Sequence, residues 1–130
     1  MKPMTLLLII VTIFMVNSAY AAQYKFIAKD DSIYTKMCVL AGNNEQKALK
    51  RILRRHRDSE KSITNSTFCN DMYIANFAQK YNASMTFNYL KRHTYRKNLD
   101  KASDITIKDI VTRVTEDNSA EEIILVYVGH

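Results

Sequence analysis

Proline, glycine, cysteine and tryptophan are scarce in this 130-residue chain, which has one proline, two glycines, two cysteines and no tryptophan. The lack of glycine excludes a glycine-rich loop of the kind that cradles phosphate groups. After Pro3 there is no further proline. Turns must therefore be built from Asn, Asp and Ser, which favours short links between helices over a fold rich in β-hairpins.

Common catalytic motifs are missing as well. The chain has no G-x-S-x-G, no H-E-x-x-H and no C-x-x-C, so the nucleophile elbow, the zinc protease helix and the dithiol redox site are excluded. The adjacent carboxylates Asp30 and Asp31 precede a predicted helix and are better explained as capping residues. Their negative charge interacts favourably with the positive end of the helix dipole. The sequence predicts no catalytic residue and no cofactor, and a non-enzymatic protein is favoured.

A long apolar run occurs at the N-terminus. Lys2 precedes apolar residues from Leu6 to Val16, and Ala19-Tyr20-Ala21 follows. This pattern predicts a signal peptide over residues 1–21, cleaved after Ala21, and hence a periplasmic or secreted protein. The run is too short for a comfortable bilayer span, so an uncleaved anchor is the less favoured alternative, and no transmembrane segment is expected after cleavage.

The two cysteines, Cys38 and Cys69, are 31 positions apart. In an exported protein such a pair most often forms a structural disulfide. Closing a loop of this length is worth about 3 to 4 kcal/mol in the chain-entropy model. A zinc site that also uses His56 and His93 is not favoured, because the spacing lacks the paired ligands of a structural zinc motif.

Helical periodicity dominates the first hundred residues. It predicts a mainly α fold, with α+β as the alternative, built from two helical hairpins whose turns fall at residues 41–43 and 81–83. Gly42 is predicted to end the first helix. The predicted N-terminal caps are the segment Asp30-Asp31-Ser32 for the first helix, Asn43 or Asn44 for the second, and Asn70 or Asp71 for the third.

Three further segments complete the predicted layout. Residues 24–28 alternate apolar and polar side chains and predict a short strand, and the β-branched run near residues 122–128 predicts a buried strand that pairs with it. The polar residues 58–67 are interpreted as a loop. Residues 104–115 fit either a helix or a strand, and we favour the helix.

Charge is distributed unevenly along the chain. Residues 22–97, interpreted as a disulfide-stapled helical domain, hold 15 basic and 6 acidic side chains, a net charge of +9. Residues 98–130, interpreted as an acidic extension with a strand within the same domain, hold 3 and 7, a net charge of −4. Two hypotheses follow. The acidic extension masks the basic helix, or an acidic partner competes with the extension for that helix.

The second predicted helix carries cations along its polar face, and a second basic segment follows the fourth helix. The candidate anion-binding residues are Lys47, Lys50, Arg51, Arg54, Arg55, Arg57, Lys91 and Arg92. Clustered Lys and Arg bind polyanions by releasing counterions, and they also contact anionic lipid headgroups. Tyr89 and Tyr95 are candidates to stack on bases or sugars. A solvated helix face without a partner is the alternative.

The segments around the two cysteines resemble a known family. The matching motifs are Cys38-x-x-Ala41, Leu49-x-x-x-Leu53, Cys69-Asn70 and Phe77-Ala78-x-x-Tyr81. Over residues 26–92 the chain is similar to the small exported bacterial proteins of domain of unknown function 3718. Asp71 and Asn82 stand where that family has glycine, and both residue types can adopt left-handed turn conformations. The resemblance implies that the protein is exported and indicates the boundaries of its fold, but it implies no particular activity.

Together these features predict a small exported interaction module whose basic helix face binds an anionic partner in the cell envelope. Lipid, polysaccharide and an acidic protein are the candidate partners, and nucleic acid is less favoured. Two alternatives stay open. One is an inhibitor or accessory protein of an envelope enzyme, and the other is a structural or stress protein whose charge only keeps it soluble.

Overall fold

A computed structural model of the protein describes residues 23–100, 111–115 and 122–130. The elements in chain order are β1 (Gln23–Ala28), α1 (Ile33–Gly42), α2 (Gln46–Arg55), α3 (Glu60–Ser66), β2 (Phe68–Cys69), β3 (Met72–Tyr73), α4 (Ile74–Lys80), α5 (Ser84–Leu90), a 3-10 helix (Arg96–Asn98), β4 (Val111–Thr115) and β5 (Glu122–Val128). The fold is mainly α with some β, as predicted. No helix among the described residues is both long and apolar enough to cross a bilayer.

Strand β5 is the centre of a three-stranded sheet. It pairs in parallel with β1, with Phe26 opposite Val126, and antiparallel with β4. Phe26, Val126 and Val128 are buried and join the sheet to the helical core. The predicted pairing of the two strands is confirmed. The pair is parallel, and the helices between the two strands supply the crossover that a parallel pair requires.

The helix favoured for residues 104–115 is wrong where the structure describes this segment. Val111–Thr115 form strand β4, and residues 104–110 lie outside the described residues. The sequence of β4 is Val-Thr-Arg-Val-Thr. Four of these five residues are β-branched, which restricts χ1 in a helix and suits a pleated strand.

Helices α1 and α2 form the first predicted hairpin. Ser32, the last residue of the predicted capping segment, is the N-cap of α1, and its side chain accepts a hydrogen bond from the backbone N–H of Thr35 at 3.1 Å. Gly42 is the last residue of the helix, and a Cβ there would lie 2.7 Å from ring carbons of Phe26, so packing requires glycine at this position. The left-handed turn residue is instead Asn44, with φ of 60°.

The predicted cap of α2 is wrong. Glu45 occupies the N-cap position and makes no capping bond through its side chain. The side-chain oxygen of Asn44 instead accepts hydrogen bonds from the backbone N–H groups of Met85 at 2.8 Å and Thr86 at 3.1 Å. Asn44 therefore satisfies two of the free donors at the start of α5 and ties the two helical hairpins together.

The predicted loop over residues 58–67 contains helix α3. Ser59 caps it by accepting from the N–H of Ser62, and the helix buries Ile63 and Thr64. At seven residues α3 is less than two turns long, so it presents only one apolar residue to the core. A segment this short and polar carries no readable helical period.

A β2–β3 hairpin follows α3. Asn70 and Asp71, expected to cap the third helix, form its two-residue turn with φ of 47° and 66°. Tyr73 occupies the N-cap position of α4 instead. The second helical hairpin is confirmed, with Asn82 at φ of 56° in the turn between α4 and α5. Asp71 and Asn82 thus adopt the left-handed conformations expected of residues that stand in for glycine.

The predicted disulfide joins Cys38 in α1 to Cys69 in β2, and both residues are fully buried. The neighbouring Asn70 then binds the end of β5. Its N–H donates to the Gly129 carbonyl at 3.0 Å, its side-chain oxygen accepts from the Gly129 N–H at 3.0 Å, and its side-chain nitrogen donates to the Tyr127 carbonyl at 2.8 Å. The disulfide-linked hairpin therefore anchors the C-terminal strand.

Candidate anion-binding surface

Helix α2 divides cleanly into an apolar side and a cationic side. Leu49 and Leu53, four residues apart, are buried and fix the helix to the core. The opposite side carries five cations, which we call the basic face: Lys47, Lys50, Arg51, Arg54 and Arg55. Their i, i+3, i+4, i+7 and i+8 spacing keeps them on one side of the helix.

The basic face surrounds one open depression of about 450 Å³. All five of its cations line this depression, and Lys47, Arg51, Arg54 and Arg55 are exposed. Ammonium and guanidinium groups clustered around one open depression concentrate positive potential. An anionic group in the depression can receive several charge-assisted hydrogen bonds.

Glu60, at the start of α3, partly neutralises one end of the basic face. Its carboxylate accepts a hydrogen bond from Arg54 Nε at 3.3 Å and lies 3.3 Å from His93 Nε2. The hydroxyl of Tyr89 also donates to it. The hydrogen bond from Tyr89, with the nearby His93 and Arg54, holds the pKa of Glu60 below its ordinary value although partial burial opposes the shift.

Tyr89 lies at the centre of this region. Its ring is only 4% exposed, with Lys50 Nζ 5.4 Å and Arg92 Cζ 5.9 Å from the ring centroid. Burial and the hydrogen bond to Glu60 raise the pKa of Tyr89 to about 12. The phenol therefore stays protonated and donates to Glu60 over the whole neutral range, while its ring supports two cations.

The structure brings together only some of the eight candidate anion-binding residues. Arg92 joins the basic face through Tyr89, whereas Lys91 Nζ lies 5.4 Å from the Phe87 ring centroid. Phe87 lines a different depression, between α4 and α5. Arg57 is exposed beyond the end of α2, after the half-buried His56. Lys91 and Arg57 are thus not among the residues that line the basic depression.

The stacking role considered for Tyr89 is wrong, because its ring is buried beneath Lys50 and Arg92. Tyr95 is 46% exposed, and Lys61 Nζ lies 4.7 Å from its ring centroid. Sequence reasoning missed Glu60 and Lys61 because both fall in the predicted loop. The signal that could have revealed them is Ser59 followed directly by Glu60, which is typical of a helix start.

Of the two carboxylates predicted to cap α1, Asp30 binds the N-cap residue Ser32 and the Thr35 side chain rather than a free backbone N–H of the helix. Its side chain accepts from the Ser32 N–H at 2.8 Å and from the Thr35 hydroxyl at 3.0 Å. The hydrogen bonds from Ser32 hold the pKa of Asp30 below its ordinary value. Among the described residues, no group of three or more His, Cys, Asp or Glu side chains is arranged to hold a metal ion.

The acidic residues of the C-terminal segment bear on the masking hypothesis. Asp100 is the one acidic residue after position 98 whose side chain the structure describes, and it accepts from Asn76 in α4 at 2.8 Å. It therefore binds away from α2. Because β5 is the central strand of the sheet, the segment cannot be removed without exposing the core. Masking stays a prediction that charge-neutralising substitutions must test.

These features define a class of small, disulfide-bonded, mainly α protein with a preformed cationic surface. The chain belongs to the family described as protein of unknown function DUF3718, whose model matches residues 37–112. The match spans Cys38, Cys69 and the whole basic face, so the family predicted from the cysteine motifs is confirmed. No curated protein and no solved structure matches the chain.

Proposed function

We propose that this protein is a small exported interaction module, without enzymatic activity, that binds an anionic partner of the cell envelope through the basic face. The observation that carries the proposal is the cluster of five cations on the outer side of α2, all of which line one open depression. Several neighbouring cations can engage neighbouring anionic groups together, and each such pairing releases counterions.

The contacts beneath the basic face support the same proposal. Lys50 and Arg92 rest on the ring of Tyr89, and Arg54 is held by Glu60. Side chains that are already positioned lose less rotamer freedom when a ligand binds. A solvated helix face needs no such support, so the preorganised cations favour a binding role.

Export is part of the proposal. The signal peptide predicted for residues 1–21 lies outside the described residues. The buried Cys38–Cys69 disulfide supports an oxidising compartment, because such bonds are rare where thiols are kept reduced. The exported protein should begin at Ala22 and show no reactive thiol. A cytoplasmic protein that retains Met1 and two free thiols would contradict this part.

Binding is tested by retention of the oxidised protein on heparin across a salt series. The variant Arg51→Glu with Arg55→Glu reverses two exposed charges of the basic face but leaves Arg54 bound to Glu60. The matched control, Lys25→Glu with Lys36→Glu, reverses two exposed charges on β1 and α1. We expect the first pair to lower the salt slope by about one unit for each cation that no longer pairs with an anionic group of heparin.

The control variant should retain the wild-type slope apart from a small shift due to net charge. Equal reductions in both variants would show that binding depends on total charge alone, and the basic face would not be a site. Tight binding to one envelope protein that is insensitive to salt would instead favour the inhibitor alternative.

A further inference from the structure

An exposed apolar side chain stands at the edge of the basic face. Met85, at the start of α5, is 53% exposed. It lines a second open depression of about 350 Å³ together with Lys47, Ala48 and Arg51 of α2, and the exposed Glu45 lines the same depression. This region therefore places a large apolar side chain directly beside two exposed cations.

The backbone at Met85 is held in place. Its N–H donates to the Asn44 side chain at 2.8 Å, and its carbonyl accepts from Gln46 Nε2 at 3.2 Å. The side chain nevertheless projects into solvent. A fixed backbone that presents a flexible thioether chain is suited to insertion into an irregular apolar environment.

Helices α2 and α5 run side by side in the same direction along this surface. Gln46 contacts Met85 at their first turns, and Lys50 lies over Tyr89 one turn later. The hydroxyl of Tyr89 then contacts Glu60 at the start of α3, and Glu60 in turn contacts His93. The surface thus carries a row of cations with Met85 at one end.

An exposed tyrosine lies close to α3. Lys61, next to Glu60 in α3, lies over the ring of Tyr95, which is 46% exposed. Tyrosine is enriched at membrane interfaces, where its ring lies among headgroups and its hydroxyl faces water. A linear polyanion such as heparin satisfies the cations but offers no apolar environment to Met85. An anionic bilayer satisfies both.

We infer that the basic face and Met85 together form a docking surface for an anionic phospholipid bilayer, with the cations on lipid phosphates and Met85 inserted at the acyl boundary. Charge complementarity identifies the partner, and the exposed methionine among the cations separates a bilayer from a soluble polyanion. This inference rests on the proposed function and specifies its ligand.

The first test compares two ligands with one substitution. Oxidised protein is sedimented with vesicles of phosphatidylcholine mixed with phosphatidylglycerol, with pure phosphatidylcholine as reference, and is also applied to heparin. Met85→Ser should lower the affinity for the anionic vesicles about tenfold, since a large part of the apolar transfer is removed. It should leave heparin retention unchanged. Arg51→Glu with Arg55→Glu should weaken binding to both ligands.

The second test uses the absence of tryptophan from the chain. Met85→Trp introduces a single reporter whose emission should shift to the blue when anionic vesicles are added. The matched control is Ile33→Trp, since Ile33 is 39% exposed and begins α1, roughly 14 Å along that helix from the end that leads to Asn44. Its emission should not change.

The outcomes separate the two proposals. Retention on heparin without binding to anionic vesicles would overturn the docking inference and leave the proposed function standing. Vesicle binding that Met85→Ser does not weaken, or an unshifted Met85→Trp emission, would also overturn insertion. Failure to bind either ligand would overturn the proposed function itself.

Discussion

Helices α1 and α2 have the same length and pack against each other, yet they bury very different faces. Helix α1 buries Thr35, Met37, Cys38, Ala41 and Gly42, whereas α2 buries Leu49 and Leu53 alone. In this hairpin, α1 therefore contributes mainly to the hydrophobic core, whereas α2 exposes most of its surface and carries the cations of the basic face. Substitutions in α1 should change stability, and substitutions on the outer side of α2 should change binding.

The largest expected effect tests the structural role of α1. Replacing both cysteines, Cys38→Ala with Cys69→Ala, should lower the free energy of unfolding by about 3 to 4 kcal/mol, because the unfolded chain is no longer cross-linked. Urea unfolding measures the change. Arg51→Ala with Arg55→Ala in α2 is the comparison and should stay within about 0.5 kcal/mol of wild type. Similar destabilisation in both variants would refute the division between the helices.

The close approach of Gly42 to Phe26 gives the next effect. Gly42→Ala places a Cβ 2.7 Å from ring carbons of Phe26, so the ring must move. Overpacking of this kind costs about 1 to 3 kcal/mol. Thermal unfolding measures it.

A double-mutant cycle isolates the cause of that destabilisation. In a Phe26→Ala background the ring is gone, so Gly42→Ala should be neutral or stabilising, because alanine is the better helix former. If Gly42→Ala is equally harmful in both backgrounds, the close approach to the ring is not the reason that glycine stands there.

Helices α1 and α2 also show which parts of the fold could be predicted from the sequence. Leu49, Leu53 and the cations between them repeat with the helical period, so α2 and its basic face could be read directly. The helical period of α1 and the polar segment at residues 30–32 that contains its cap were equally clear. The strand 122–128 was readable because its β-branched run is compact and bounded by polar residues.

Other features depend on interactions between distant residues. Asn44 caps α5, 41 positions away, and no local pattern distinguishes that role from capping α2. Glu60 meets Tyr89 across 29 positions, and neither residue is unusual in its own segment. Helix α3 was missed because its single buried apolar residue, Ile63, gives no periodicity.

A smaller effect is expected from the buried phenol beneath the basic face. Tyr89→Phe removes the hydroxyl that donates to Glu60 but keeps the ring under Lys50 and Arg92. We expect the free energy of unfolding to fall by about 1 kcal/mol, because the partly exposed carboxylate can still be hydrated. Heparin retention should be unchanged. Tyr89→Leu also removes the aromatic support and should reduce retention, and equal retention in the two variants would contradict a role for the ring.

The smallest expected effect is the dependence of stability on pH through Glu60. Its pKa in the folded protein lies below the ordinary value of 4.5. The stabilisation is therefore fully present above about pH 4.5, and it disappears as the pH falls through the lower folded pKa. Wild type should exceed Glu60→Gln in stability at neutral pH, and the difference should shrink on acidification. Urea unfolding at several pH values measures this. A difference that stays constant into the acid range would mean that Tyr89, Arg54 and His93 do not favour the ionised carboxylate, and the preorganisation of Arg54 by Glu60 would lose its basis.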